Sequence, residues 1–302
     1  MAVRALLLLL SSVAVDALPE VAAQTLSPAD AKPSLASIRT RPLRHVEGEG
    51  FDASQDKGDW SEEVVEASFI HQCVQPGDSV YEIGTNIGRS TIVAASSAGP
   101  SGRVVTAEAD PSIRAIARSN ANMPPALSNI NFIPAVSDTP LDIERSRGSL
   151  GASTSSQRNV EHIRVETTPF SALRDLQPNV VIADCEGCFD ALLSGMLEVS
   201  NGAFLNRTRA IVLERDTPES PSNVARQAAT WTRLKSMGFR ETVCVASPYP
   251  RPTDALGAHC FWTVLQRTSS TRPTVYVRRD DANEEIHAFE HRAERETVNA
   301  VI

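Results

Sequence analysis

The 302-residue chain is poor in cysteine, in aromatic side chains and in positive charge. Five cysteines (Cys73, Cys185, Cys188, Cys244, Cys260) are too few for a scaffold built from disulfides, and their odd number leaves at least one thiol free or paired outside the chain. Aromatics are sparse at 5%, although hydrophobic content is ordinary for a globular protein at 41%. Lys and Arg (29) fall short of Asp and Glu (37), a formal net charge of −8. That balance argues against nucleic acid as a partner, because phosphate binding needs a basic face. No internal repeat is visible, and the longest apolar run, Ala5 to Val15, is too short to span a bilayer comfortably.

That run follows the basic start Met1-Ala-Val-Arg4 and precedes the small residues Val15-Asp16-Ala17. The pattern predicts a secretory signal peptide over residues 1–17, with a signal anchor as the alternative. Membrane contact is then expected only through an uncleaved leader. Localisation is expected to be the secretory pathway or outside the cell. A plastid reached through a two-part leader is the alternative, since residues 26–44 are rich in Ser, Ala and Pro and basic. Residues 18–59 read as linker, 60–267 as the folded domain and 268–302 as a charged tail with little apolar surface to dock, in which helical parts can form.

Within the domain, helical and strand patterns alternate. Trp60 to Cys73 is amphipathic; Ser79–Ile83, Arg103–Glu108, Asn131–Ala135, Val180–Asp184 and Ala210–Glu214 read as strands, with helices after most of them. Phe239–Ala246 and His259–Gln266 are two further strands with no helix between, which implies one antiparallel strand at that end. The expectation is a mostly parallel α/β sheet with helices on both faces. Thr139 to Val160 reads as an exposed excursion. Cys244 and Cys260 can pair if their two strands lie together.

The most informative stretch is Val80-Tyr81-Glu82-Ile83-Gly84-Thr85-Asn86-Ile87-Gly88, a strand turning tightly into a helix. Gly84 suits a turn conformation closed to other residues, and Gly88 allows a close approach. The helix start beyond offers unpaired N–H groups for an anionic group. The dinucleotide fingerprint needs a third glycine, and a P-loop ends in Gly-Lys-Ser/Thr; here Arg89-Ser90-Thr91 follows Gly88, so neither fits. Ligands of open parallel sheets sit at the carboxyl ends of strands. Here those ends carry Glu82, Glu108, Asp138, Asp184 with Glu186, and Glu214. Glu108, 20 residues past Gly88, is placed to accept ribose hydroxyls. Asp110 is the better cap for the helix that follows.

Tyr81-Glu-Ile-Gly-Thr-Asn-Ile-Gly88 resembles motif I of the FkbM family of S-adenosylmethionine-dependent methyltransferases. Glu108-Ala-Asp-Pro111 is similar to that family's second strand end, Ala135-Val-Ser-Asp138 to its third, and Asp184-Cys-Glu-Gly187 to its D-x-E-G-x-E motif. Leu213-Glu214 and Leu234-Lys-Ser-Met-Gly-Phe239 continue the series, so the resemblance covers about residues 60–266. One departure is clear: the second Glu of D-x-E-G-x-E is Phe189 here, with Asp190 one position late.

The resemblance implies a Rossmann-like class I methyltransferase with a seven-stranded sheet of order 3-2-1-4-5-7-6 and strand seven antiparallel. It implies S-adenosyl-L-methionine as cofactor, held by Glu82, Gly84, Asn86, Gly88, Glu108, Ser137 and Asp138. Asp184 and Glu186 are the candidate bases for O-methylation of a hydroxyl or carboxyl on a small-molecule, glycan or lipid-like acceptor. A divalent ion between Asp184 and Glu214 is an alternative; no dedicated metal site is expected. A non-catalytic secreted module that retains the fold is the competing reading. Two other patterns are set aside. His287-Ala-Phe-Glu290-His291 has the spacing of a zinc peptidase but no pocket-forming domain around it. Cys185-Glu-Gly-Cys188 has redox or zinc spacing but no second pair, so packing of small residues is expected there.

Overall fold

Successive residues of a strand point to opposite faces, so a strand buried throughout must be covered on both sides. β1 (Ser79–Ile83), β8 (Val180–Ala183) and β9 (Ala210–Glu214) are of this kind. The computed structural model describes residues 32–41, 43, 64–146, 160–185, 188–215, 221–246, 260–267, 275–278 and 287–290. These fall in one unit that begins at Lys32.

The helices are α1 (Leu35–Arg39), α2 (Val64–Cys73), α3 (Arg89–Ala98), α4 (Pro111–Asn122), α5 (Phe189–Val199) and α6 (Pro221–Ser236). The remaining main-sheet strands are β2 (Arg103–Ala107), β3 (Ile130–Ile133), β10 (Phe239–Ala246) and β11 (Cys260–Arg267). The sheet runs β10-β11-β9-β8-β1-β2-β3, with β11 antiparallel to both neighbours and the other pairings parallel. Counted along the main sheet alone, this is the expected order 3-2-1-4-5-7-6 with the seventh strand reversed.

The two faces carry separate cores. Val80, Val104, Val180, Ile182, Val212 and Val264 pack with Ile38, Phe69, Ile70, Ile92 and Val93. Tyr81, Ile83, Val105, Val181, Ile211 and Leu213 pack with Leu192, Leu193, Met196, Leu197 and Phe204. At roughly 1.5–3 kcal/mol for each large apolar side chain, these two layers dominate the stability of the sheet. Polar ties secure its amino edge. Arg209 forks onto Asp78, with Nη1 2.8 Å from Oδ1 and Nη2 on Oδ2, and Nη2 also donates to the Cys73 carbonyl at 2.6 Å.

Four segments depart from the sequence reading. Residues 32–41, read as linker, dock on the body. Ile38 enters the first core, Lys32 Nζ donates to the Val74 carbonyl at 2.8 Å, and Arg41 donates to the carbonyls of Pro125 (2.6 Å) and Met123 (2.9 Å). The third strand stops at Ile133 because Pro134 has no N–H to continue the ladder; β4 (Ala135–Val136) pairs instead with β7 (Thr167–Thr168). The excursion after Thr139 forms an antiparallel pair, β5 (Leu141–Ser146) with β6 (Val160–Val165), in which Leu141 faces Val165 and Ile143 faces Ile163. In the tail, where the sequence allowed helical parts, β12 (Val275–Arg278) pairs instead with β13 (His287–Glu290). Residues 1–31 lie outside the described residues, so the leader does too. Among the described residues no helix is long and apolar enough to cross a membrane.

Candidate active site at the carboxyl edge of the sheet

The turn after β1 is set by three positive φ angles, at Gly84 (+89°), Asn86 (+48°) and Gly88 (+92°). Asparagine is one of few side chains that tolerate this region. Its Oδ1 accepts the next N–H, from Ile87, at 2.8 Å. Gly84 answers a crowding demand as well. A Cβ there would lie 1.5 Å from the Asp184 carbonyl oxygen, because the end of β8 passes directly against the turn. At Gly88 a Cβ would meet Ala117 of α4 at 3.3 Å. The α4 side also supplies Asn120, whose Nδ2 donates to the Ile87 carbonyl at 2.8 Å.

Glu108 closes the turn from β2. Its Oε2 accepts the Asn86 N–H and its Oε1 the Asp110 N–H, both at 2.9 Å. Burial pushes its carboxyl upward, and the two backbone bonds oppose that shift. Asp110 caps α4 through the N–H of Ser112 at 2.8 Å, as its position suggested. α3, by contrast, starts at Gly88 with no side-chain cap.

Glu82 lies beneath this turn and is fully buried. Its Oε2 accepts the Thr91 hydroxyl at 2.5 Å. Burial pushes its carboxyl up to about 7; hydroxyl bonds from Ser90, Thr106 and Thr91 oppose the shift, and the Asp184 charge adds to it. The side chain therefore supports the turn from within. Thr85 and Thr106, joined through their hydroxyls, complete this buried polar layer.

Along the rest of the edge, Ser137 Oγ accepts the Thr139 N–H at 3.2 Å. Asp138 Oδ1 accepts the Phe170 N–H at 3.1 Å, which ties the third strand end to the turn at Phe170–Leu173. Asp184 donates its N–H to the Ile83 carbonyl at 2.9 Å and so sits beside the glycine turn. Glu186 lies outside the described residues. Asp190, the acid displaced by one position, is directed to α6, where it bonds Thr230; desolvation raises its carboxyl. Phe189, which holds the family position, is buried in the second core. Asp190 also lines a cavity at the end of β9 with Glu214, Arg215 and Trp231, where the Arg215 guanidinium stacks 4.9 Å from the Trp231 ring centre.

The structure thus brings Glu82, Gly84, Asn86, Gly88, Glu108 and Asp184 together around one turn. Among the described residues no three His, Cys, Asp or Glu side chains gather as metal ligands, so Asp184 and Glu214 find no third protein ligand there. Cys185 and Cys188, expected to be packing residues, form a disulfide. The strands that carry Cys244 and Cys260 do lie together, but their register sets Cys260 opposite Ala246 and Cys244 opposite Thr263, so the two cysteines do not face each other. Sequence reasoning passed over Thr91, Thr106 and Asn120. The signal available for Asn120 was its place on the buried face of α4, beside Ala117 and Ala121.

No family model matches the chain, and no curated protein matches it. The chain is similar to several solved structures. An O-methyltransferase from Bacillus cereus in complex with SAH is 15% identical, with 77% of this chain and 90% of that chain covered and a TM-score of 0.42. The O-methyltransferase TomG from Streptomyces achromogenes, in complex with SAM, is 13% identical, with coverage of 78% and 89% and a TM-score of 0.44. A SAM-dependent methyltransferase from Aquifex aeolicus is 17% identical, with coverage of 71% and 98% and a TM-score of 0.38.

Proposed function

We propose that the protein is an S-adenosyl-L-methionine-dependent methyltransferase of the FkbM type, acting on a hydroxyl or carboxyl of a small-molecule, glycan or lipid-like acceptor. The observation that carries this reading is the half-buried Glu108 carboxylate tied to the N–H of Asn86 inside a turn of three positive φ angles. It stands at the carboxyl ends of a sheet ordered β3-β2-β1-β8-β9-β11-β10. The residues fit the donor. Glu108 keeps lone pairs free to accept ribose hydroxyls, and the turn and the uncapped start of α3 present backbone groups to the methionine end. Ser137 and Asp138 are assigned to the adenine side.

When bound, the donor supplies an electrophilic methyl group on a sulfonium. The chain's share of the work is alignment, because in-line displacement depends on the approach of the acceptor oxygen. With a hydroxyl acceptor, the proton passes to a carboxylate, and Asp184 or Glu186 is assigned that role from their place after β8. Glu82 is assigned to positioning, since its side chain bonds within the turn's support. Calorimetry with S-adenosylmethionine on the full chain tests the reading: micromolar binding that Gly84→Val abolishes is expected, and no binding by the folded wild type rejects it.

A further inference from the structure

We propose that Cys185–Cys188 is a reversible thiol–disulfide site, exchanged by dithiols, whose opening loosens the strand-end contact beneath the glycine turn. Its link to donor binding rests on the methyltransferase reading; the exchange and the loosening do not.

The two sulfurs are bonded across a sequence separation of three. So short a loop removes little freedom from the unfolded chain, so the bond is a poor global staple. What it does constrain is local. Cys185 follows Asp184, whose carbonyl fills the space above Gly84, and the Cys185 nitrogen would itself lie 3.4 Å from a Cβ at Gly84. Cys188 is the residue from which α5 departs, accepting the Leu192 N–H at 3.1 Å. The bridge therefore ties Cys185, which follows the β8 end where it lies against the glycine turn, to Cys188 at the start of α5. Both cysteines are partly exposed while packing against the second core, so a small dithiol can reach them. Cys73 is buried in the first core on the opposite face.

The chemistry balances with the dithiol as reductant. One of its thiolates attacks a sulfur of the pair, the S–S bond breaks, and the other cysteine leaves as a thiolate that takes up a proton. The second thiol of the reductant loses its proton and displaces the first cysteine, which is protonated in turn. Two electrons pass from dithiol to disulfide.

The test uses the full-length chain, oxidised and then treated with dithiothreitol without denaturant. Alkylated peptides are mapped by mass, and backbone hydrogen exchange is followed in both states. Cys185 and Cys188 are expected to take label together while Cys73 does not, with near-UV circular dichroism retained. Exchange in peptides covering 84–88 and 188–192 is expected to quicken by about fivefold on reduction. Cys185→Ser/Cys188→Ser should resemble the reduced form and ignore dithiothreitol; if it does not fold, the two wild-type states still decide. Absence of the bond in oxidised protein, reduction only together with unfolding, or equal exchange in the two states overturns the proposal. Cycling with altered exchange, but no S-adenosylmethionine binding in either state, supports it and removes the methyltransferase reading instead.

Discussion

The N–H of Asn86 donates to Glu108 Oε2 at 2.9 Å, so the residue assigned to the ribose also holds the turn assigned to the methionine end. Loss of the carboxylate should act twice. Glu108→Ala is expected to weaken S-adenosylmethionine binding by about 30-fold or more, and Glu108→Gln by about tenfold, since the amide keeps one acceptor. Calorimetry on both variants checks this, and unchanged affinity in Glu108→Ala would detach the ribose from that side chain.

Gly84→Ala should be among the most damaging single substitutions in the chain. The new methyl group meets the Asp184 carbonyl at 1.5 Å on a backbone with φ +89°. Backbone strain of about 1–3 kcal/mol adds to displacement of β8, for a total of roughly 4 kcal/mol or more. A thermal midpoint within a few degrees of wild type would show that the edge yields more readily than its packing implies.

The Glu82 carboxyl, held up at about 7 by burial, makes stability depend on pH. The folded state keeps this proton where the unfolded chain, near 4.5, has lost it. Stability therefore falls as pH rises from about 4.5 to about 7, and the contribution then levels off. The full effect is roughly 3 kcal/mol. Urea unfolding at pH 5 and pH 7.5 should show this slope in wild type and a flatter one in Glu82→Gln, which cannot titrate. Equal slopes in the two proteins would place the proton elsewhere.

Arg209 and Asp78 offer a contrast, because they join the amino ends of β9 and β1, far along the strands from the glycine turn. Arg209→Met takes the guanidinium from the carboxylate of Asp78, a residue 7% exposed, which keeps the N–H of Gln75. The expected loss is about 2–4 kcal/mol, a fall of roughly 5–12 °C in Tm. Arg209→Lys should recover only part of it, because an ammonium cannot make the fork. Affinity for S-adenosylmethionine, measured well below Tm, should stay within about twofold of wild type.

The strands themselves, one antiparallel strand at the far end and the acids at the strand ends were legible because each follows from local pattern, whereas the order of the sheet came only from the resemblance of its motifs to a family. Apolar runs fix strands, helices between them force parallel pairing, and the acids close the runs. Asp110 was legible as a cap for the same reason. The hydroxyl layer of Thr85, Thr91 and Thr106 was not, because burial of a threonine depends on what packs above it. Nor was the seat of Ile38, whose surroundings come from α2 and α3, beyond the reach of any local pattern. The disulfide at Cys185 and Cys188 was visible as a spacing, yet whether two thiols meet is decided by how the chain turns from β8 into α5.

Ile38 has one more consequence, for anyone who wishes to shorten the protein. A chain begun at residue 32 keeps the plug in the first core together with the cap that Ser34 provides through the Ser37 N–H. A chain begun at residue 45 removes both, uncovers apolar surface over α2 and α3, and leaves the carbonyls of Met123 and Pro125 without their guanidinium. The usable start of the body therefore lies upstream of the glycine turn by some fifty residues, and clipping beyond it should favour self-association.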